Sequence, residues 1–480
     1  MSIQTSSKIV IEPVTRVEGH GKVTIHVDEN RRVKQARLHI VEFRGFERFI
    51  QGRPYWEVPV LVQRLCGICP VSHHLAGAKA VDWIVGGENL TPTAEKMRRL
   101  MHLGQIFQSH SLHFFHLCSP DLLFGFDAPV AIRNIIGVIE KYPDLAVQGV
   151  MMRKFGQEII KATAGKKIHG TGAIPGGINK NLSIEERDFF LKDIDQMIQW
   201  SLGAVELIKK VHAQMPDTMM KFGAFDSNHL SLVREDGAMD LYHGVLRAKN
   251  AKGEIIFDKV DYRNYLDYIA EEVRSWSYMK FPFIKSLGKE NGWYRVGPLA
   301  RVNNCDFIPT PLAEEARREF MKEAKGGTVV NSTMHYHWAR LIETLHAAEG
   351  MKELLNDPDL QGNDLVAKGE MRNECVGLIE APRGTLFHHY KVDDDGLVTM
   401  ANLIVSTTNN NQPMNTAVTR VCEEYFDGRE ITEALLNHVE VAIRAYDPCL
   451  SCATHALGKM PLEIQLVDSD GVVIDSVASF

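Results

Sequence analysis

The chain is poor in cysteine. Eight in 480 residues are too few for a disulfide scaffold. It also lacks an excess of positive charge. The formal net charge of -7 gives no reason to expect nucleic acid or an anionic membrane surface as a partner. No apolar run approaches the roughly 20 residues a helix needs to cross a bilayer. Met1 to Pro13 carries neither an apolar h-region nor an A-x-A site, so no signal peptide is visible. No Gly-rich fingerprint follows a strand, which argues against a dinucleotide site on this chain. Internal repeats and low-complexity tracts are missing, and no loop is long or biased enough for a linker. What remains is an ordinary globular composition, 45% hydrophobic and 24% charged, with length to bury a large core. Length alone predicts two to three domains.

The few cysteines are not spread evenly. Four fall in two C-x-x-C pairs near opposite ends of the chain. The first stands in Arg64-Leu65-Cys66-Gly67-Ile68-Cys69-Pro70-Val71-Ser72-His73, the second in Asp447-Pro448-Cys449-Leu450-Ser451-Cys452-Ala453-Thr454-His455. Two such pairs can offer four thiolates to one metal centre. Cys118, Cys305, Cys375 and Cys422 are scattered and read as plain buried thiols.

Residues 21–44 predict a hairpin: Lys22 to Val27 alternates, Asp28-Glu29-Asn30 supplies the turn, and Val33 to Val41 alternates again. From Ser72 the pattern turns helical. Pro92-Thr93-Ala94-Glu95 starts a helix that runs on through Met97 to Leu117. That stretch carries His102, His110, His113 and His116. With no paired thiol or carboxylate beside them in sequence, they read as hydrogen-bonded interface residues rather than ligands. Further helices are expected over 183–214, with Ser183 and Glu186 as a capping box, and over 310–324, with Thr310 as cap and Pro311 at the first position. Others are expected over 334–355 and 432–445. Residues 235–262 look strand-rich, and 465–477 predict a second hairpin around Ser469-Asp470-Gly471. Because both ends contribute to one site, one large, mainly α unit (α+β, a helical-bundle core with small peripheral antiparallel sheets) is expected.

Thiolates favour zinc, copper(I), nickel, or iron in clusters. From spacing alone, a structural four-cysteine zinc site ranks first. Three features count against it. Arg64, His73, Asp447 and His455 flank the pairs, and a closed zinc knot needs none of them. The separation of the pairs far exceeds a zinc-finger spacing. Glu18 and Glu47 sit in short charged, Gly-containing segments suited to close backbone approach.

These residues carry a resemblance. The chain resembles the large, catalytic subunit of nickel–iron hydrogenases, with the nickel-dependent hydrogenase large-subunit fold. R-x-C-G-x-C-x-x-x-H is met by Arg64, Cys66, Gly67, Cys69 and His73. D-P-C-x-x-C-x-x-H is met by Asp447, Pro448, Cys449, Cys452 and His455. R-x-E-G-H matches Arg16 to His20, F-R-G-x-E matches Phe43 to Glu47, and A-P-R-G matches Ala381 to Gly384. Val41 to Glu47, Cys69 to His74 and Arg444 to Cys452 look like the soluble, NAD-reducing subgroup.

The resemblance implies nickel on all four cysteines. Cys66 and Cys449 would be terminal, and Cys69 and Cys452 shared with an iron bearing cyanide and carbon monoxide. It implies heterolytic splitting of dihydrogen, with Cys449 as first proton acceptor and Glu18 as the next relay. Arg383 would stand over the open metal face, oriented by Asp121 and Asp447, with Pro382 in the same cover. Arg383 and Thr407 would donate to the cyanides, and His73 would support a bridging sulfur. Glu47, His455 and the Leu403 carbonyl would hold magnesium. Where the family often has V-P-S-T, this chain reads Val405-Ser406-Thr407-Thr408.

The family's mature subunit ends at the histidine matching His455. Residues 1–455 would therefore form the catalytic unit, and 456–480 an extension removed by a dedicated endopeptidase after nickel insertion. No further cysteine cluster here can relay electrons. A small iron–sulfur subunit, together with diaphorase subunits carrying flavin and NAD, is implied as partner, in the cytoplasm. The competing readings are the same chemistry with a deazaflavin coenzyme or NADP as acceptor, a non-catalytic scaffold like one found in respiratory complex I, and the structural zinc protein.

Overall fold

The computed structural model describes residues 7–426, 429, 432–454, 462–467 and 473–479. Its centre is a packing of helices: α1 (Pro70–Ile84), α2 (Pro92–Leu112), α3 (Pro143–Ala164), α4 (Ile194–Gln214), the short α5 (Pro298–Asn304), α6 (His335–Leu355), α7 (Asn411–Tyr425) and α8 (Glu433–Ala445). Helix α2 packs on α3 and α6, and α6 packs in turn on α4. Two glycines let α2 and α3 approach closely. A Cβ on Gly104 would stand 2.7 Å from an Ile159 methyl, and one on Gly156 would stand 2.7 Å from the Gly104 carbonyl oxygen. Leu100, Phe107, Ile159, Ile208, Ile342 and Leu345 fill the space between these helices. Each contributes roughly 1.5–3 kcal/mol of burial.

The helix boundaries follow local chemistry. Thr91 caps α2, its hydroxyl accepting the Ala94 N–H at 3.2 Å, and Pro92 takes the first helical position. The α2 helix does not run unbroken to Leu117. It gives way to a π-helical turn, His113–Cys118, and then a short helix, Ser119–Phe124. The Ser183–Glu186 capping box has both of its bonds. The helical stretch it opens is two helices, Ile184–Leu191 and α4. Thr310 makes no side-chain cap; its hydroxyl is 2.8 Å from His346 Nδ1 instead. Thr432 caps α8. Helix α3 was not anticipated, because Gly and polar residues dilute its apolar stripe.

Among the described residues, three antiparallel or mixed sheets of three or four strands clothe this core. The expected N-terminal hairpin, Gly21–Val27 with Val33–Ile40, gains an outer strand, Ser7–Ile11. The strand-rich insertion is Asn228–Val233, Val245–Lys249 and Ile255–Val260, with Tyr294–Arg295 pairing in parallel at the edge. A third sheet, Glu374–Ala381, Gly384–Val392 and Val398–Ile404, was not read from sequence. It lies on α1 and positions the Ala381–Gly384 turn beside the first C-x-x-C pair. The C-terminal hairpin is present as Leu462–Val467 with Val473–Ser479; the expected turn residues Ser469-Asp470-Gly471 lie outside the described residues.

The third sheet sits on α1 through Gly377. A Cβ there would meet the Ala76 carbonyl oxygen at 2.2 Å and the Ala80 nitrogen at 2.5 Å. Backbone cannot yield as a side chain does, so Gly377→Ala is expected to destabilise by about 2–3 kcal/mol. Thermal unfolding checks this; an unchanged Tm would contradict the close sheet–helix contact.

Candidate metal centre

The two C-x-x-C pairs meet. Cys66, Cys69, Cys449 and Cys452 are all buried, and their sulfurs lie within 4.8 Å of one another. Cys66 Sγ is 2.8 Å from Cys69 Sγ and 3.4 Å from Cys449 Sγ. Cys449 and Cys452, with Cα atoms 5.6 Å apart, bring their sulfurs into contact.

Each pair is held from outside. The first lies between an irregular 3-10 turn and the start of α1, where Pro70 occupies the first helical position. The Gln105 and Gln108 amides of α2 both donate to the Ile68 carbonyl, at 3.0 and 2.9 Å. His169 Nε2 is 3.1 Å from the Cys66 carbonyl. The second pair follows α8. The last carbonyls of that helix are taken by other elements: His113 Nε2 reaches Arg444 O at 2.7 Å and Arg340 donates to Ala445 O at 3.0 Å. Asp447 then adopts φ 53° and turns the chain inward. The N-terminal loop joins here: Leu450 N–H donates to the Glu18 carbonyl at 3.0 Å, and Glu18 bridges to Cys449 in parallel.

Glu18 brings an acidic side chain to the cluster. The Cys449 thiol donates to its carboxylate at 2.9 Å, and the Ser451 N–H at 3.2 Å. The Ser451 hydroxyl contacts its other oxygen. Cys449 is buried while Glu18 is partly exposed, so the carboxylate stands between the thiols and the surface.

Above the sulfurs stands Arg383, from the Ala381–Gly384 turn. Its Nε donates to Asp447 O at 2.5 Å and its Nη2 to Asp447 Oδ1 at 3.0 Å. Its Nη1 has no partner, nor does Asp447 Oδ2. Burial opposes the Arg383 charge, but Asp447 and the cysteines hold it firmly protonated. Burial raises the Asp447 carboxyl despite Arg383 and Arg340. Among the thiols, burial pushes Cys66 up, but the hydrogen bond from Cys69 and the Arg383 charge bring it below its ordinary value. Cys69, the donor, is raised well above its own. Backbone N–H groups of Ile68 and Cys69 point at the Cys66 sulfur, at 3.3 and 3.0 Å. Convergent soft donors, N–H groups aimed at sulfur and a spare guanidinium N–H fit a thiolate-bound soft metal.

The remaining expected residues divide. Thr407 accepts the Cys449 N–H at 3.0 Å. The Pro382 carbonyl accepts from Arg301 at 3.2 Å. The hydrogen bond of His73 runs to His388, at 3.2 Å, rather than to a sulfur, and burial lowers its pKa to about 3. Glu47 is buried and accepts the Leu403 N–H at 2.9 Å. Lys280 Nζ stands 4.0 Å from it. The Arg44 N–H donates to Thr454 O at 3.2 Å, which ties the Glu47 segment to the residue before His455. His455 itself lies outside the described residues.

Asp121 does not orient Arg383. Its carboxylate takes Arg16 at 2.6 Å, Arg444 at 3.0 Å and the Asn437 amide at 3.3 Å. It thereby fastens the N-terminal loop to α8, and the orientation of Arg383 falls to Asp447.

A second cluster, His113, Cys118 and His337, also brings ligand atoms within 4.8 Å. The π turn puts His113 and Cys118 on one face, and His337 stacks on His113 at 5.5 Å. Sequence offered no paired thiols beside these histidines; the fold brings Cys118 and His337 to His113. Burial and then the neighbouring Arg340 charge push both histidines well below their ordinary range. That guanidinium opposes any bound cation. His110 likewise gains a carboxylate, Glu343, at 3.0 Å. Arg301, Arg340, Glu343 and Glu380 were missed from sequence. Their one signal was charge embedded in apolar runs, such as Leu341-Ile342-Glu343-Thr344-Leu345.

Comparison with known proteins is consistent along the chain. Residues 8–43 match a family described as HoxL-like, and residues 44–128 and 217–455 match the family described as nickel-dependent hydrogenase. The NAD-reducing hydrogenase HoxS subunit beta of Cupriavidus necator is 52% identical over 98% of this chain and 100% of its own length. A component of the vhu F420-non-reducing hydrogenase of Methanococcus voltae is 46% identical over 87% of this chain and 99% of its own. A crystal structure of an NAD+-reducing NiFe-hydrogenase in the H2-reduced state matches with a TM-score of 0.92 at 56% identity, covering 94% of this chain and 100% of that one. The Ni-Fe-Se hydrogenase of D. vulgaris Hildenborough, 24% identical with a TM-score of 0.75, shares the fold.

If the four thiols form one soft site and the His113 cluster does not, cadmium binding to the metal-free chain separates them. A thiolate–cadmium charge-transfer band should appear and weaken as pH falls, since the thiols must lose protons to bind. It should drop in Cys66→Ala and persist in Cys118→Ala. A band lost in Cys118→Ala would contradict this assignment.

Proposed function

Because the chain belongs to the nickel-dependent hydrogenase family, we propose that it is the large, catalytic subunit of an enzyme that oxidises dihydrogen reversibly and passes the electrons to NAD+ through partner subunits (H2 + NAD+ = H+ + NADH). The observation that carries this reading is the convergence of Cys66, Cys69, Cys449 and Cys452 into one buried set. Its support is a chain 52% identical to a subunit of an NAD-reducing hydrogenase over nearly its whole length. A scaffold without catalysis has no need of four converging thiols, and a closed zinc knot has no need of Glu18 and Arg383.

The four cysteines would hold nickel, with Cys69 and Cys452 shared with an iron carrying cyanide and carbon monoxide. When bound, the metal pair supplies the polarisation that lets dihydrogen give up a proton. The chain's own groups then manage that proton. Cys449 Sγ is the sulfur in contact with a carboxylate, so it is the natural first acceptor. Glu18 takes the proton from it across 2.9 Å and hands it outward, with Ser451 fixing the carboxylate from the other side. A carboxyl and a thiol in direct contact can exchange a proton without rearrangement.

Arg383, oriented by Asp447, has an unpartnered Nη1–H that would be free to donate to a cyanide of the bound group. The Thr407 oxygen accepts from Cys449 N–H, so its own hydroxyl hydrogen would be available to a cyanide of the bound group. His73, kept neutral by burial and held by His388, follows the first pair on α1 and would support its bridging sulfur. Glu47 and the Leu403 segment, with His455, are suited to magnesium, which favours oxygen ligands. Electrons would leave through a small iron–sulfur subunit toward flavin- and NAD-binding diaphorase subunits. Residues 456–480 would be removed by an endopeptidase after nickel-insertion factors have acted, in the cytoplasm.

Substituting Glu18 tests the proton route. Glu18→Gln should keep wild-type nickel and iron content but lose roughly 10²-fold or more in hydrogen-oxidation kcat, and Glu18→Asp should retain part of it. Wild-type turnover in metal-replete Glu18→Gln would remove Glu18 from the path.

A further inference from the structure

Arg301 is buried to 1% exposure, and each of its five N–H donors has an acceptor. Nε and Nη2 grip Glu343 of α6 at 2.6 Å each. Nη1 binds Glu380 at 2.8 Å and the Ala381 carbonyl at 2.9 Å. The last donor, on Nη2, reaches the Pro382 carbonyl at 3.2 Å. Two of five bonds therefore land on the backbone immediately before Arg383.

The carboxylates that hold Arg301 are themselves fixed. Glu343 also meets His110 of α2 at 3.0 Å. Glu380 accepts the Leu232 N–H at 2.9 Å and the Thr385 hydroxyl at 2.8 Å. Glu343 and Glu380 show no exposure at all. Burial pushes Glu343 up, but the Arg301 charge holds it down at about 2, while burial keeps Glu380 raised against the same charge. The group binds α2, α5, α6 and two sheets to a single turn, and it touches no cysteine.

We propose that Arg301 is a positioning residue for the hydrogenase reaction: through its paired hold on the Ala381 and Pro382 carbonyls it sets where the Arg383 guanidinium stands over the metal face. The inference rests on the reading that Arg383 acts there. A guanidinium suits the task because its flat fork can serve two carbonyls and two carboxylates at once. An ammonium keeps the charge and cannot match that geometry.

Arg301→Lys, Arg383→Lys and the double variant test it in the assembled enzyme. Each is assayed for nickel and iron content, for kcat and KM toward dihydrogen, and for the infrared cyanide bands. Arg301→Lys should keep its metals and KM, lose kcat by about tenfold or more, and shift the cyanide bands in the sense that Arg383→Lys does. The double variant should be no worse than Arg383→Lys alone, because the two residues act in series. Fully multiplicative losses would show that Arg301 acts independently of Arg383 and would overturn the proposal. So would loss of metal in Arg301→Lys, or unmoved cyanide bands. If Arg301→Lys does not fold, Glu343→Gln, which loosens the same grip, must shift the bands in that same sense, and unmoved bands there overturn the proposal equally. A wild-type enzyme with no nickel and no hydrogen oxidation would instead refute the functional reading itself.

Discussion

Four thiols from opposite ends of the chain must come within 4.8 Å of one another, and most of the architecture can be read as the means of doing so. Thiolates repel, and burying them raises the cost further. The fold answers with positive charge and directed N–H groups: Arg383 above the sulfurs, backbone amides on Cys66, and the Thr407 hydroxyl oxygen occupying the Cys449 amide. The N-terminal loop closes the arrangement, since Glu18 pairs along the backbone with Cys449 and Leu450. One segment thus provides both a tether for the second pair and a carboxylate for its thiol.

Buried arginines do much of the joining. Arg98, Arg295, Arg301, Arg340 and Arg444 are all fully buried, and several spend their donors on backbone carbonyls of distant segments. Arg444 takes Thr15 O and Asp121, Arg340 ends α8, and Arg98 joins Asp82 to the Gly177 carbonyl. A guanidinium used this way is costly to desolvate but fixes direction, because its donors are rigid. The ends of helices and the turns that carry Arg383 and Asp447 are therefore set by charge as well as by packing.

Much of the site was legible in the sequence because its chemistry is local. C-x-x-C, D-P-C and A-P-R-G keep ligand, turn former and functional residue within a few positions, and so could be read without a fold. The helices with start signals, such as those opening at Pro92 and after Ser183, were equally readable. What stayed hidden depends on long-range contact. The sheet carrying Arg383 packs through Gly377, whose reason is another helix's backbone. Asp121 was named only through the family resemblance, as an orienting partner of Arg383; its actual partners are Arg16 and Arg444, which no spacing rule connects. His113 and Cys118 share a face only because α2 ends in a π turn. Arg301 and Glu343 look, in sequence, like charges misplaced in apolar helices.

The central claim is that the four converging cysteines hold a nickel–iron pair with diatomic ligands. The most direct test is metal analysis together with infrared spectroscopy on the processed subunit from its native host. The account predicts nickel and iron in equal amounts, with cyanide and carbonyl stretching bands. Zinc alone, with no such bands in properly processed protein, would contradict it and return the four cysteines to a structural role.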